Sequence, residues 1–230
     1  MVIPFILLIA AAYFIGSIPT AYLVAKWRRG IDIRQYGSGN VGASNVMAVV
    51  SKRWSIAVSI FDIGKGALMV WLAQLFGLGA AQQAIIGIAA IIGHNWTVFL
   101  HFQGGRGIFT SLGVIAMLAP RVGLIALILP YLFAPFRQLS LGVTITLTIL
   151  PIISWLLSQP LAVGEPVAVS LGYLAILLTA LFRRLTAPKT PLGASVPRGE
   201  LIINRLLFDR DIKDREAWLR QIHPETKARR

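Results

Sequence analysis

Twenty-four consecutive residues near the start of the chain, VIPFILLIAAAYFIGSIPTAYLVA at 2–25, carry no charge. About 20 apolar residues in a helix suffice to cross the hydrocarbon of a bilayer. A secretory signal would begin with basic residues and hold a shorter apolar core. Here the chain opens Met-Val-Ile-Pro, and the first cations, Lys26, Arg28 and Arg29, follow the apolar run. The segment reads as a retained transmembrane helix. Six further apolar segments follow at 54–76, 82–101, 107–119, 121–135, 139–158 and 166–182. Pro120 separates the two short ones, which read as a broken pair, tilted helices or a re-entrant element. Only 13% of the residues are charged, against about a quarter in soluble domains. The expected fold class is an all-α integral membrane protein with about seven transmembrane or partly spanning helices.

Cations near the membrane set orientation. With the N-terminus outside and seven crossings, the inner loops hold Lys26, Arg28, Arg29, Arg34, Lys52, Arg53, Arg106 and Arg137, and twelve more cations lie from Arg183 onward. The outer loops hold only Arg121. The net charge of +13 then follows from topology and from anionic lipid headgroups. Membrane lipids are the expected surroundings, and nucleic acid is not an expected partner, since no recognition fold is visible. Absence of cysteine excludes disulfides, thiolate metal ligands and a cysteine nucleophile. No HExxH or histidine–carboxylate cluster offers a metal site, so neither metal nor cofactor is expected. GxxxxGK[ST] and GxSxG are also absent. A histidine followed at five by aspartate, the soluble acyltransferase pattern, is missing: Phe99 follows His94 and Arg106 follows His101 at that spacing.

Four polar islands interrupt the apolar pattern: YGSGNVGASN at 36–45, FDIGKG at 61–66, GHNWTVFLHFQGGRGIFTS at 93–111 and FRQLS at 136–140. All border the cytosolic face in the proposed topology. Glycines let backbone N–H groups approach an anion, and a helix start just after them adds donors and a favourable dipole. GGRG before the apolar run from Ile108 fits that description, and Arg106 can grip phosphate oxygens bidentately. Ser38, Asn40, Ser44 and Asn45 supply neutral hydrogen-bonding groups. Thr110, Arg137 and Ser140 add polar groups on the later islands. Other readings stand beside these: glycines for close helix packing, Ser38 and Asn45 as caps, Asp62 and Lys65 as a structural helical pair, and His94 as a hydrogen-bonded structural residue.

Taken in order, GSGNVGASN, DIGKG, GHNWTVFLHFQGGRG with TSLGV, and RQLSL resemble the bacterial acyl-phosphate-dependent glycerol-3-phosphate acyltransferases, the PlsY family. The resemblance covers about residues 10–182. It implies a seven-helix membrane fold with a cytosolic active site in the bacterial inner membrane. It also implies transfer of a fatty acyl group from acyl phosphate to the 1-hydroxyl of glycerol 3-phosphate. By position, Ser38, Asn40, Asn45 and Arg106 are implied catalytic residues. Ser44, Lys65, His94, Gly104, Gly105, Gly107, Thr110, Arg137 and Ser140 are implied substrate-binding residues.

The chain departs from the family pattern at several points. QGGRG stands where the family usually reads KGGKG, and Ala48 stands at an arginine position. LFRRL replaces a final HRxNI, with Phe182 and Leu185 at the histidine and asparagine positions and Arg183 retained. These departures keep open an acyltransferase with another acceptor or donor, and a non-catalytic phosphate- or lipid-binding membrane protein. Residues 1–185 form the expected membrane acyltransferase domain, and 186–230 a cytosolic linker and tail. In that tail 200–222 reads as an amphipathic helix with Asp211–Arg215 and Glu216–Arg220 pairs and with Leu207, Trp218, Leu219 and Ile222 as apolar contacts. It would lie on the inner leaflet or cover the site's mouth, where Asn204 and Arg205 could replace the missing groups.

Overall fold

The computed structural model describes residues 2–188, 190, 192–214 and 216–218. The helices are α1 (Val2–Ser17), α2 (Thr20–Arg29), α3 (Ala43–Val49), α4 (Lys52–Leu75), α5 (Ala80–Asn95), α6 (Ile108–Leu118), α7 (Pro120–Ile128), α8 (Leu139–Leu156), α9 (Ser158–Leu161), α10 (Pro166–Leu185) and α11 (Arg198–Phe208). Among the described residues five stretches are long and apolar enough to cross a membrane: Val2–Arg29, Lys52–Leu75, Ala80–Leu100, Leu139–Leu156 and Pro166–Leu185. Ile108–Leu118 and Pro120–Phe133 are shorter. Large apolar side chains such as Leu7, Leu68, Leu124, Leu171 and Leu178 are exposed around the bundle, as suits a lipid-facing surface.

The first span is not one continuous helix. Pro19 lacks an N–H and ends α1, so the chain restarts as α2 at Thr20. The Ile18 carbonyl at the break accepts the Thr20 N–H at 3.0 Å and Lys65 Nζ at 3.3 Å. Ser17 makes two more repairs: its Oγ donates to Gly93 O at 3.2 Å, and its carbonyl accepts from Thr97 Oγ1 at 2.5 Å.

Two close helix crossings build the bundle. At one, Gly16 of α1 lies on the Ala90 carbonyl of α5, and Gly93 of α5 lies on the Tyr13 carbonyl of α1. At the other, Gly66 of α4 meets the Thr110 carbonyl of α6, and Gly113 of α6 meets the Ile63 carbonyl of α4. A Cβ at any of the four would collide with backbone, so small residues at these points let the helices approach closely. Val70, Ile91, Val114, Leu150, Tyr173 and Ile176 fill the space between α4, α5, α6, α8 and α10, and Tyr173 Oη donates to Ile115 O at 3.1 Å.

The short pair α6–α7 traverses this bundle as a tight hairpin. Ala119 is extended and Pro120 opens α7, and Gly123 lies directly against Ala116. The turn sits at the bundle end where Gln74 Nε2 donates to Met117 O (2.9 Å), Arg121 to Pro160 O (2.6 Å) and the Ala80 N–H to Glu165 Oε1 (2.9 Å). The polar islands gather at the opposite end.

The tail differs from the expected single helix over 200–222. Helix α11 ends at Asp209, which takes the left-handed conformation (φ 54°). Asp211 then turns back to pair with Arg205 at 2.7 Å. Arg215, Leu219, Arg220 and Ile222 lie outside the described residues. Helix α11 packs on the ends of α8 and α10. Asn204 and Arg205 are used inside the tail: Asn204 Nδ2 donates to Asp211 O (3.3 Å), and Arg205 Nη1 donates to the carbonyls of Leu185 (2.9 Å) and Ala187 (2.8 Å).

Burial raises the Asp211 pKa, but hydrogen bonds from Arg205 and from the Thr190 backbone and hydroxyl outweigh it and hold the carboxyl below its ordinary value. A depressed pKa stabilises the folded form above the unfolded pKa, and that contribution is lost as pH falls through the folded value. Hydrogen-exchange protection of the 190–211 segment, corrected for intrinsic rates, is therefore expected to fall below about pH 4, and to be low at every pH in Asp211→Asn. Gly93→Leu should collide with the Tyr13 backbone and lower stability by about 1–3 kcal/mol, read as a reduced thermal midpoint in detergent.

Candidate active site

The loop between α2 and α3 is folded around one side chain. Asn45 Oδ1 accepts from the Ser38 N–H at 3.0 Å, while Nδ2 donates to the carbonyls of Ile33 (3.2 Å), Tyr36 (3.0 Å) and Asn40 (3.0 Å). Gly37 and Gly39 adopt positive φ of 59° and 66°, and a Cβ on Gly37 would strike the Asn45 amide. Asn45 is buried and its amide is occupied by this loop. Its geometry presents Ser38, Asn40 and Ser44 at the surface of the site.

The second loop, QGGRG, is pressed onto the end of α5. The Gly104 N–H donates to Asn95 O at 3.2 Å and the Gly105 N–H to His94 O at 3.0 Å. A Cβ on Gly104 would collide with those carbonyls, and one on Gly105 with His94 Nε2. The expected anion cradle is thus not made by these two N–H groups, which are already paired. Their carbonyls are paired as well: Arg183 Nε donates to Gly105 O (2.9 Å) and Arg183 Nη2 to Gly104 O (2.8 Å). Gly107, at φ 72°, turns the chain into α6.

Beneath both loops lies a buried ionic group. Lys65 Nζ is 3.0 Å from Asp62 Oδ1 and 2.9 Å from His94 Nδ1. Thr20 Oγ1 donates to the same Asp62 oxygen at 2.8 Å. Side-chain exposure is 1% for Lys65 and 2% for Asp62, so the two charges are compensated by each other rather than by water. With the ammonium donating, His94 Nδ1 accepts and the ring proton resides on Nε2, beside Gly105.

Two connected cavities open at this end. The first, about 590 Å³, has a polar end at Asn40, Ser44, His94, Arg106, Ser140, Arg184 and Asp209. It continues between α6, α7 and α8 along Phe109, Leu112, Ile115, Leu127, Val143 and Leu147. The second, about 910 Å³, is a cationic cleft with Ser38, Gly104, Arg34, Arg183 and Arg205 on its walls. Asn40 and Arg106 line both. Arg106 Nε lies 2.8 Å from Asp209 Oδ1.

Of the expected site residues, Ser38, Asn40, Ser44, His94, Gly104, Arg106, Gly107 and Ser140 therefore meet in one place. Asn45, Lys65 and Gly105 stand behind that surface, lining neither cavity. Thr110, expected to bind substrate, is fully buried against Gly66, because this face of α6 packs on α4. Arg137, also expected there, has a side chain 72% exposed and pairs with Glu216 at 3.4 Å. Asp62, Arg184 and Asp209 belong to the site and were not expected. A carboxylate in a cationic tail and an arginine at a helix end look from sequence like solubilising and topological charges.

Comparison with known proteins identifies the family. The family described as glycerol-3-phosphate acyltransferase matches residues 6–187. Glycerol-3-phosphate acyltransferase 5 of Dehalococcoides mccartyi is 46% identical over 219 residues, covering 95% of this chain and 94% of that one. Glycerol-3-phosphate acyltransferase 4 of another strain of the species is 45% identical over 215 residues, 94% of this chain and 93% of the other. The crystal structure of PlsY (YgiH), an integral membrane glycerol 3-phosphate acyltransferase, in its glycerol 3-phosphate form superposes with a TM-score of 0.71 at 30% identity, covering 79% of this chain and 88% of that one. Its lysophosphatidic acid form gives 0.69. The chain is a multi-pass membrane protein of the glycerol-3-phosphate acyltransferase family.

Proposed function

We propose that this protein transfers a fatty acyl group from acyl phosphate to the 1-hydroxyl of glycerol 3-phosphate, on the cytosolic face of the bacterial inner membrane. One observation carries the reading. A cationic, hydrogen-bonding chamber around Arg106 continues without interruption into an apolar channel between α6, α7 and α8. Such a space suits one substrate with a phosphate and one with an acyl chain. The grouping of cations at the cavity end, with Arg121 at the other, supports an inward-facing site and an outside N-terminus. Residues 1–185 hold the catalytic part in this reading, and 186–230 are a cytosolic tail.

The chemistry asks little of the protein beyond placement. The glycerol hydroxyl oxygen attacks the carbonyl carbon of the mixed anhydride, and the carbon–oxygen bond to phosphate breaks. Inorganic phosphate leaves, and one of its oxygens takes the hydroxyl proton. Holding the two anionic substrates in register supplies most of the acceleration. Arg106 offsets phosphate charge, Ser38, Asn40, Ser44 and Ser140 donate and accept hydrogen bonds, and the buried Asp62–Lys65–His94 group supports the floor.

Purified protein should release phosphate from acyl phosphate only when glycerol 3-phosphate is present; no release, beside an active relative as control, overturns the reading. Arg106→Ala is expected to raise KM for glycerol 3-phosphate by about a hundredfold or more with expression intact. Val143→Trp should fill the channel and lower turnover of long-chain relative to medium-chain acyl phosphates, measured as a ratio of kcat/KM values.

A further inference from the structure

The chain beyond residue 187 lies outside the family match, yet it supplies part of the site. Asp209 lines the first cavity, and Thr190, Arg205, Asp211 and Trp218 line the cleft. The alignment of 219 residues with the first Dehalococcoides relative also extends into this tail.

The tail is anchored like a wall. Arg184 Nη1 donates to Leu206 O and to Thr144 Oγ1, each at 2.6 Å. Asp211 Oδ2 accepts from the Thr190 N–H and hydroxyl, each at 2.8 Å, and Oδ1 accepts from Arg205 Nε at 2.7 Å. A Cβ on Gly193 would collide with the Asp211 carboxylate. These contacts hold the end of α11, and Asp209 caps it in the left-handed conformation. From there its carboxylate reaches Arg106 Nε, at 2.8 Å through Oδ1 and 3.2 Å through Oδ2.

This contact selects one edge of the guanidinium. Nε is taken by Asp209, and Nη1 donates to the Arg183 carbonyl at 3.4 Å. Among the described residues Nη2 has no hydrogen-bond partner. A guanidinium is a planar fork, so fixing two of its nitrogens fixes the plane of the third. The carboxylate's charge also offsets the mutual repulsion of Arg106 with Arg183 and Arg184. We propose that Asp209 is a positioning residue for glycerol 3-phosphate binding: it orients Arg106 so that its remaining N–H donors meet the substrate phosphate. The inference rests on the reading above that Arg106 binds that phosphate.

The test uses full-length protein in nanodiscs, saturating acyl phosphate and a titration of glycerol 3-phosphate. Asp209→Asn keeps shape and tolerates the left-handed backbone, and Asp209→Gly removes the side chain at a conformation glycine adopts freely. Either variant is expected to raise KM about tenfold, the scale of one charge-assisted hydrogen bond, with kcat within about twofold. In an Arg106→Lys background the same change should move KM by less than about twofold, because an ammonium has no plane to orient. A lower KM in Asp209→Asn would show that the carboxylate occupies the phosphate's place and would overturn the proposal. Equal rises in both backgrounds would show general structural support and overturn it as well. If Arg106→Lys and Arg106→Ala both leave KM unchanged, the phosphate reading itself fails.

Discussion

A lysine and an aspartate, paired between helices where water is scarce, set the frame on which the site is built. Asp62 and Lys65 sit one helical turn apart on α4. Together they reach the broken end of α1 through the Ile18 carbonyl, the start of α2 through Thr20, and the end of α5 through His94. His94 in turn lies under Gly105. Removing one partner would strand the other as a buried charge, a cost of about 3–5 kcal/mol. The group thus fixes where three helix ends and one loop meet, and the cavity-lining residues inherit their positions from it.

Above that frame, buried polar groups shape the loops and exposed ones face the cavities. Asn45 holds its loop from inside, and Ser38 and Ser44 are presented outside. Arg183 grips the carbonyls of Gly104 and Gly105, while Arg106 between those glycines and Gly107 stays at the junction of both cavities. Two adjacent glycines can therefore serve tight packing even in a loop whose composition suggests an anion site. Here the packing need is visible in the α5 carbonyls they touch.

Much of this was legible in sequence. The apolar runs mark the helices because membrane helices must satisfy their own backbone, and the four islands converge as their composition suggests. What escaped depends on long-range or phase-sensitive geometry. Thr110 packs against Gly66 and lines neither cavity, and the Arg137 side chain is exposed beside Glu216. Which face of α6 turns inward, and whether an arginine beside the membrane faces a cavity, has no mark in the sequence. Asp209 was invisible because its partner Arg106 is 103 residues away. The short pair α6–α7 was left ambiguous by length alone. Its contacts with Gln74 and Pro160 carry its turn to the far end of the bundle.

The break at Pro19 bears on how the chain enters the membrane. The Ile18 carbonyl accepts the Thr20 N–H within its own span at 3.0 Å, and has its side-chain partner 47 residues downstream, on the second long helix. Only when α4 packs is its second lone pair met. Asp62 arrives needing Lys65 on its own helix and finds Thr20 waiting on the first. The break in the first span is thus tied to the second long helix through Thr20 and the Ile18 carbonyl. Its final place in the bundle is an association of two segments as much as a partitioning of one.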